Sequence, residues 1–286
     1  GPVARIYTYD AAGNLLTDGI THYALDASGR LSKTMLNNKV SDNLYNGLGE
    51  RLLKIGSRSA KGGPYLYFYD STGQLIGDYE KTKGAKQTIN WIPKQETIWL
   101  GDIPIAVIRQ SVATEPVQVF YIYTDYLNTP RLIVNQSNVP VWRWDNVYAF
   151  GSNLPYEDPD GDGQSFEYNL RFPGQYFDKE TGLHYNYFRY YEPETGRYLS
   201  SDPIGVAGGL NTYGYVEGNP LKWSDPLGLD AQVTVWQPVG WGSSSFGHIS
   251  ISINGITWSW GPDGMTKILQ ANYNSRNSFR SGLTSN

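Results

Sequence analysis

Two aspartates, each followed by proline and framed alike, sit in the last third of the chain: Ser201-Asp202-Pro203-Ile204-Gly205 and Ser224-Asp225-Pro226-Leu227-Gly228-Leu229. Carboxylates brought together cannot both ionise cheaply, so one is kept as an acid and the other as a base. That equips a pair to cleave an amide, where water must lose a proton and the leaving nitrogen must gain one. The protons belong to the pair, and the residues do not say which carboxylate is the base. Pro203 and Pro226 bias the preceding aspartates toward extended backbone, and Gly205 and Gly228 allow sharp turns. The candidate target is the neighbouring bond Leu229-Asp230, beyond which the sequence changes character. Delivered by its own chain, that bond would meet the pair at high effective concentration, enough for one turnover. The plainer reading is that both Asp-Pro steps only shape turns.

The elements that would position the pair are legible from composition and repeats. The chain has 286 residues, a net charge of −4, only 17% charged residues, 32 Gly, 23 Tyr, 9 Trp and no Cys. Tyr, Trp and Gly at this density predict many short strands joined by tight turns. The charge recommends no nucleic-acid partner, and no apolar run is long enough for a transmembrane helix. Without cysteine there is neither a disulfide nor a thiolate nucleophile.

A short motif recurs: Tyr9-Asp10-Ala11-Ala12-Gly13-Asn14-Leu15, then Tyr23 to Leu31 with one insertion, a looser Tyr45 to Leu52, and Tyr69-Asp70-Ser71-Thr72-Gly73-Gln74-Leu75. Each copy has the logic of a β-hairpin, the Asp bonding turn N–H groups and the Gly taking positive φ. The array predicts laterally stacked hairpins, with Tyr65, Tyr67 and Tyr69 on one strand face. Further strands are expected at Thr97–Leu100, Ala106–Arg109, Val117–Tyr123, Arg131–Val134 and Pro140–Trp144, and a hairpin turn at Asn254-Gly255. Short helices are expected around Met265–Tyr273 and near Pro220.

The Tyr-Asp hairpins resemble RHS (YD) repeats. Tyr123-Thr124-Asp125-Tyr126-Leu127-Asn128-Thr129-Pro130-Arg131 looks like the start of an RHS-repeat-associated core. Arg171-Phe172-Pro173-Gly174-Gln175-Tyr176, Asp178 to Asn186, Arg189-Tyr190-Tyr191, Thr195-Gly196-Arg197-Tyr198, the first Asp-Pro motif and Asn211-Thr212-Tyr213-Gly214-Tyr215 continue it, and Asp225 to Leu229 closes it. The resemblance covers roughly residues 5–229. It implies an all-β protein: stacked hairpins of a partial cocoon, a C-terminal core or plug, and a small β-rich C-terminal segment. It divides the chain into repeat sheet (1–120), core (121–229) and the beginning of a toxin domain (230–286). It further implies a bacterial polymorphic toxin whose core is an aspartic autoprotease cutting after the closing Leu, with two aspartates and an upstream arginine. Here these match Asp202, Asp225 and Arg189, with Leu229-Asp230 as the cleaved bond. The implied partners are the chain's own C-terminal toxin segment, an immunity protein and components of a secretion system that delivers the protein from the cytoplasm where it is made. With only a few repeats, closure of a shell is not expected of this stretch alone, and exposed strand edges would invite pairing between chains.

Other residues invite weaker readings. Asp158, Asp160 and Asp162, followed by Gly163, reproduce the first half of a calcium loop, but position twelve would be Asn169 rather than a bidentate Glu. Calcium is the one candidate ligand, and the cleavage chemistry requires no cofactor. His22 reads as a surface or packing residue, His184 as a packed strand residue, and Tyr185, Tyr187, Tyr190 and Tyr191 as stacked aromatics rather than a sugar platform. In 230–286, Gly247-His248-Ile249-Ser250 resembles the opening of papain-type or amidase-type cysteine hydrolase toxins, although the chain has no cysteine; Ser243, Ser244 and Ser245 lie nearby. Three readings follow: self-cleavage at Leu229-Asp230, a non-catalytic encapsulation or surface scaffold, and a hydrolase-like activity centred on His248.

Overall fold

The computed structural model describes residues 5–56, 64–83, 89–110 and 116–229, and the backbone of five strands between 232 and 285. The fold is all-β and antiparallel. Strands β1 (Thr8–Tyr9), β2 (Leu15–Thr17), β3 (Thr21–Leu25), β4 (Leu31–Leu36), β5 (Lys39–Tyr45), β6 (Arg51–Gly56) and β7 (Tyr65–Tyr69) run in chain order. The same sheet continues through β8 (Leu75–Lys83), β9 (Ile89–Leu100), β10 (Ile103–Arg109), β11 (Gln118–Thr124), β12 (Pro130–Val134) and β13 (Pro140–Arg143), thirteen strands with sequence neighbours paired throughout. A second sheet holds β14 (Tyr176–Asp178), β15 (Leu183–Asn186), β16 (Arg189–Glu192) and β17 (Arg197–Tyr198). The third holds β18 (Gln232–Trp236), β19 (His248–Ile253), β20 (Ile256–Gly261), β21 (Gly264–Leu269) and β22 (Gly282–Ser285).

One turn builds much of the large sheet. At Asp10, Asp26, Asn46, Asp70, Asp125 and Asn135 the side-chain oxygen accepts the N–H groups two and four residues on, at 2.8–3.0 Å. The residue three on has positive φ: Gly13, Gly29, Gly49 and Gly73, then Asn128 and Asn138. Register shifts just before each Asp or Asn mark the bulge that accompanies a three-residue hairpin loop. Asparagine tolerates the left-handed region nearly as glycine does, so the hairpins at Asp125 and Asn135 continue the array although they lack its glycine. The expected boundary between 120 and 121 accordingly falls inside β11, whose Tyr121 pairs with both Ala106 and Val134.

The large sheet covers both faces of the small one. Leu15, Tyr23, Leu31 and Tyr67 pack against Tyr176, Leu183, Tyr185, Tyr190 and Leu199. Val107, Ile122, Ile133, Trp142 and Trp144 enclose Tyr191 and Tyr198 together with Phe172 and Tyr215. A buried ion cluster fastens the two sheets: Arg51 reaches Asp178 at 2.6 Å, Lys54 reaches the other Asp178 oxygen at 2.8 Å, and the Arg51 guanidinium lies against the rings of Tyr67, Tyr176 and Tyr185.

The helix expected around Met265–Tyr273 is corrected in its first part. Gly264–Leu269 is strand β21, with Met265 opposite Trp260 and Lys267 opposite Trp258. Met265 to Leu269 carry neither a clean helical nor a clean strand period, and pairing with the tryptophan-bearing β20 decides the conformation. Residues 270–273 lie outside the described residues. Near Pro220 there is a single 3₁₀ turn, Val216–Gly218. Asn254-Gly255 itself lies outside the described residues, but the flanking strands pair Ile253 with Ile256, the register of a two-residue hairpin.

Candidate functional site

The structure brings Arg189, Asp202 and Asp225 together. Arg189 starts β16 and pairs with Asn186, closing the β15–β16 hairpin. Asp202 and Asp225 each open a turn that keeps one of the two side-chain bonds of the large-sheet turns and their positive φ three residues on. At the first, Asp202 Oδ1 accepts Ile204 N–H at 2.9 Å, and Gly205, at positive φ, donates its N–H to Asp202 O. At the second, Asp225 Oδ1 accepts Leu229 N–H at 2.9 Å, with Gly228 at positive φ.

A single guanidinium nitrogen of Arg189, Nη2, reaches Asp202 Oδ2 at 2.7 Å and Asp225 Oδ2 at 3.4 Å. Its Nη1 donates to Thr212 O at 3.1 Å, and its Nε donates to Gly228 O. The arginine thus holds both carboxylates and the backbone of the closing segment. All three side chains are buried, with exposures of 1–2%. Leu229 is buried as well, while Asp230 lies outside the described residues.

Two further residues complete the site. Tyr198 Oη donates to Asp225 Oδ2 at 2.7 Å, and its ring lies 3.6 Å from the Arg189 guanidinium carbon. Asn186 Nδ2 donates to Tyr198 Oη at 2.8 Å and to the Asp225 backbone carbonyl at 2.9 Å. Neither was expected as a site residue. Tyr198 stands among many tyrosines, and nothing in its local sequence distinguishes the one that meets a carboxylate.

Two carboxylates and one arginine share this buried space. Burial pushes the Asp225 carboxyl up to about 6, against the pull of Arg189, Tyr198 and Leu229 N–H, and with a further push from Asp202. Asp225 therefore exchanges its proton near neutrality, where a group can both give and take one.

The closing segment is seated against backbone where no side chain fits. Gly174, at φ +81°, backs onto the Pro226 carbonyl, and a Cβ there would come within 1.9 Å of that oxygen. Gly228, at φ +68°, faces the Asn186 carbonyl, which a Cβ would meet at 2.3 Å.

The remaining candidates lie elsewhere. Carboxylate oxygens of Asp158, Asp160 and Asp162 lie within 4.8 Å of one another in an exposed loop, close enough to share one cation. Asn169, at position twelve, is buried, and its Nδ2 donates to Glu167 Oε1 and Tyr176 Oη. His184 is buried between Phe177 and Tyr191 with Nδ1 2.7 Å from Gln175 Oε1; burial, then the nearby Arg171, lower its pKa well below the ordinary value. It is a packed residue, as expected. Tyr185, Tyr190 and Tyr191 are core residues, and Tyr187 Oη donates to Glu50 at 3.0 Å. His22 is exposed on β3. His248 opens β19 opposite Trp236, while Ser243, Ser244 and Ser245 lie outside the described residues.

No family model matches the chain. It is 37% identical over 138 residues to double-stranded DNA deaminase toxin A of Burkholderia cenocepacia, covering 48% of this chain and 9% of that protein. It is 28% identical over 237 residues to probable deoxyribonuclease RhsA of Dickeya dadantii, covering 76% of this chain and 16% of that protein. Among solved structures, it resembles the crystal structure of TcdB2-TccC3 without hypervariable C-terminal region, with a TM-score of 0.60, 25% identity, and coverage of 77% of this chain and 11% of that one. The chain therefore spans less than a fifth of the length of these relatives. Its likeness to RHS-type polymorphic toxins and Tc-toxin components supports an RHS-like lineage.

Proposed function

We propose that residues 121–229 cut their own chain once, at Leu229-Asp230, using Asp202 and Asp225 as the acid–base pair and Arg189 as their shared cation. The observation that carries this reading is the conjunction at Asp225. One oxygen holds the N–H of Leu229, the residue that supplies the scissile carbonyl, while the other oxygen faces the cation it shares with Asp202. In the reaction one carboxylate takes a proton from water as its oxygen adds to the Leu229 carbonyl carbon, and the other protonates the departing Asp230 nitrogen. The C–N bond breaks, leaving a carboxylate at Leu229 and an amine at Asp230. Arg189 limits the charge of the buried pair and anchors the closing segment through Gly228 O. Because the substrate is tethered beside the pair, a modest acid–base site suffices for one turnover.

The wider reading is that residues 1–120 form part of a shell, 121–229 its processing core and 230–286 the start of the released toxin. Relatives named for different activities, a DNA deaminase and a deoxyribonuclease, resemble this chain over only part of their length, which supports reading the shared stretch as a carrier. Encapsulation, an immunity partner, delivery by a secretion system, and calcium at Asp158, Asp160 and Asp162 belong to this proposal. His248 is the one toxin residue singled out.

Intact mass under denaturing conditions tests the cleavage. The parent should yield a fragment ending at Leu229, and Asp202→Asn and Asp225→Asn chains that still fold should stay whole. A parent that remains whole would turn the reading toward a non-catalytic scaffold.

A further inference from the structure

Asp225 is oriented less by Arg189 than by Tyr198. The Arg189–Asp225 contact, at 3.4 Å, is longer than the 2.7–2.9 Å of a strong charge-assisted hydrogen bond, whereas Arg189–Asp202 measures 2.7 Å. The near partner of Asp225 Oδ2 is the Tyr198 hydroxyl, at 2.7 Å. Because Asn186 Nδ2 donates to the hydroxyl oxygen, the hydroxyl proton is left to point at Asp225. Asn186 also holds the Asp225 carbonyl, so one amide fixes the aspartate backbone and the phenol that orients its side chain. With Oδ1 taken by Leu229 N–H, rotation of the carboxylate would break a bond at either end.

We propose that Tyr198, held by Asn186, is a positioning residue for Asp225, keeping its carboxylate aimed at the Leu229 peptide. The proposal rests on the self-cleavage reading above. A phenol donating to a carboxylate favours the charged form, so its loss leaves burial less opposed. The titratable and charged groups facing Asp225 are Arg189 from β16, Tyr198 from β17, Asp202 from the first Asp-Pro turn, and Tyr215. Tyr198 keeps its own proton, since burial and then Asp225 raise it well above the ordinary value. Any limb of the pH–rate profile governed by Asp225 must then move to higher pH in Tyr198→Phe, whether Asp225 acts as the acid or the base.

The test follows cleavage of labelled chain made in a cell-free system, captured unfolded in urea and diluted into buffers from acid to mildly alkaline. Tyr191→Phe is the control. It removes another buried hydroxyl from the same cluster, one that donates to Phe150 O and touches neither aspartate. Tyr198→Phe should slow cleavage about 10- to 100-fold, the scale of a hydrogen bond to a charged group, with the Asp225 limb shifted upward. Tyr191→Phe should keep the parental rate and profile. A Tyr198→Phe chain cleaving at the parental rate with an unmoved profile, while Asp225→Asn stays whole, overturns the positioning role and leaves the self-cleavage reading intact. Equal slowing of both phenylalanine variants with no pH shift overturns it too, because the hydroxyl would then matter only for stability. A parent that never cleaves overturns both readings.

Discussion

Gly174→Ala should damage cleavage out of proportion to its size. Gly174 sits in the turn where Arg171 N–H bonds Gln175 O, and it does not touch either aspartate side chain. A methyl there would come within 1.9 Å of the Pro226 oxygen, 2.5 Å of its carbonyl carbon and 2.7 Å of its Cα. All three are backbone atoms, so no rotamer change relieves the clash, and the Asp225–Leu229 segment must move by about 1 Å. A displacement of that size at a reacting group costs about 10²-fold in rate. Strain at φ +81° adds about 1–2 kcal/mol. Gly182→Ala separates the two effects. Gly182 also has positive φ, +74°, but nothing lies within 4 Å of its would-be Cβ. It should lose similar backbone stability, lowering Tm by about 2–4 °C per kcal/mol for a domain this size, and cleave normally. The assays are the time course of the fragment ending at Leu229 and thermal unfolding of each variant. Parental cleavage by Gly174→Ala, or equal slowing by Gly182→Ala, would refute the claim that close seating of Pro226 aligns the site.

Two further outcomes follow from buried charge. The Asp225 carboxyl is raised from 3.8 to about 6, chiefly by burial. Its protonated form is therefore favoured by folding, and this contribution is present below the unfolded value and lost as pH rises through the folded one. Compared in an Asp202→Asn background by urea unfolding, where the smaller push from Asp202 is absent, the parental Asp225 should lose up to about 3 kcal/mol against Asp225→Asn across that window; a difference independent of pH would refute the raised value. At Asp178, burial alone would raise the carboxyl, but Arg51 and Lys54 outweigh it and hold it below the ordinary value. Its stabilisation is present above the usual carboxylate range and lost as pH falls through the folded value. Asp178→Asn strips Arg51 and Lys54 of their shared buried counter-ion and should cost about 3–5 kcal/mol in urea unfolding. A loss below 1 kcal/mol, the range of surface pairs, would show that the cluster does not fasten the two sheets.

Much of the fold was legible because the turns are local. An Asp or Asn, two intervening residues and a residue able to take positive φ specify a hairpin whose bonds stay within five residues. The Asp125 and Asn135 turns escaped the repeat pattern because Asn128 and Asn138 replace glycine, which the backbone tolerates and a motif search for Gly does not. Asp202 and Asp225 were legible as chemistry, and Arg189 through the resemblance. Their meeting depends on β16 and two loops docking against one another, information spread over many separated contacts. Tyr198 and Asn186 show the limit: a tyrosine that orients a carboxylate and one that fills a core, such as Tyr191, have the same local sequence signature. Met265 fell to a different cause, since the partner strand that decides its conformation is supplied by another segment.

The candidate site and the large sheet use related turns to different ends, and the difference is solvent. Asp10 and Asp225 both open a turn, and each side chain accepts the N–H four residues on. At Asp10, exposed to water, the Asn14 side chain and then turn N–H groups lower the carboxyl below its ordinary value; such a group is a fixed anion at neutral pH and only shapes the chain. At Asp225 the turn bond is retained, but burial beside Asp202 overrides it and brings the carboxyl near neutrality. Catalytic competence would then need no new backbone device. It would need a repeat-like turn enclosed by Tyr198 and Tyr215, an arginine to make that enclosure tolerable, and a chain continuing past the fifth residue of the turn. In the sheet that continuation is a return strand, paired and covered. Beyond Leu229 it is the bond proposed to be cut, and the position of Leu229 relative to Asp225 follows from turn geometry.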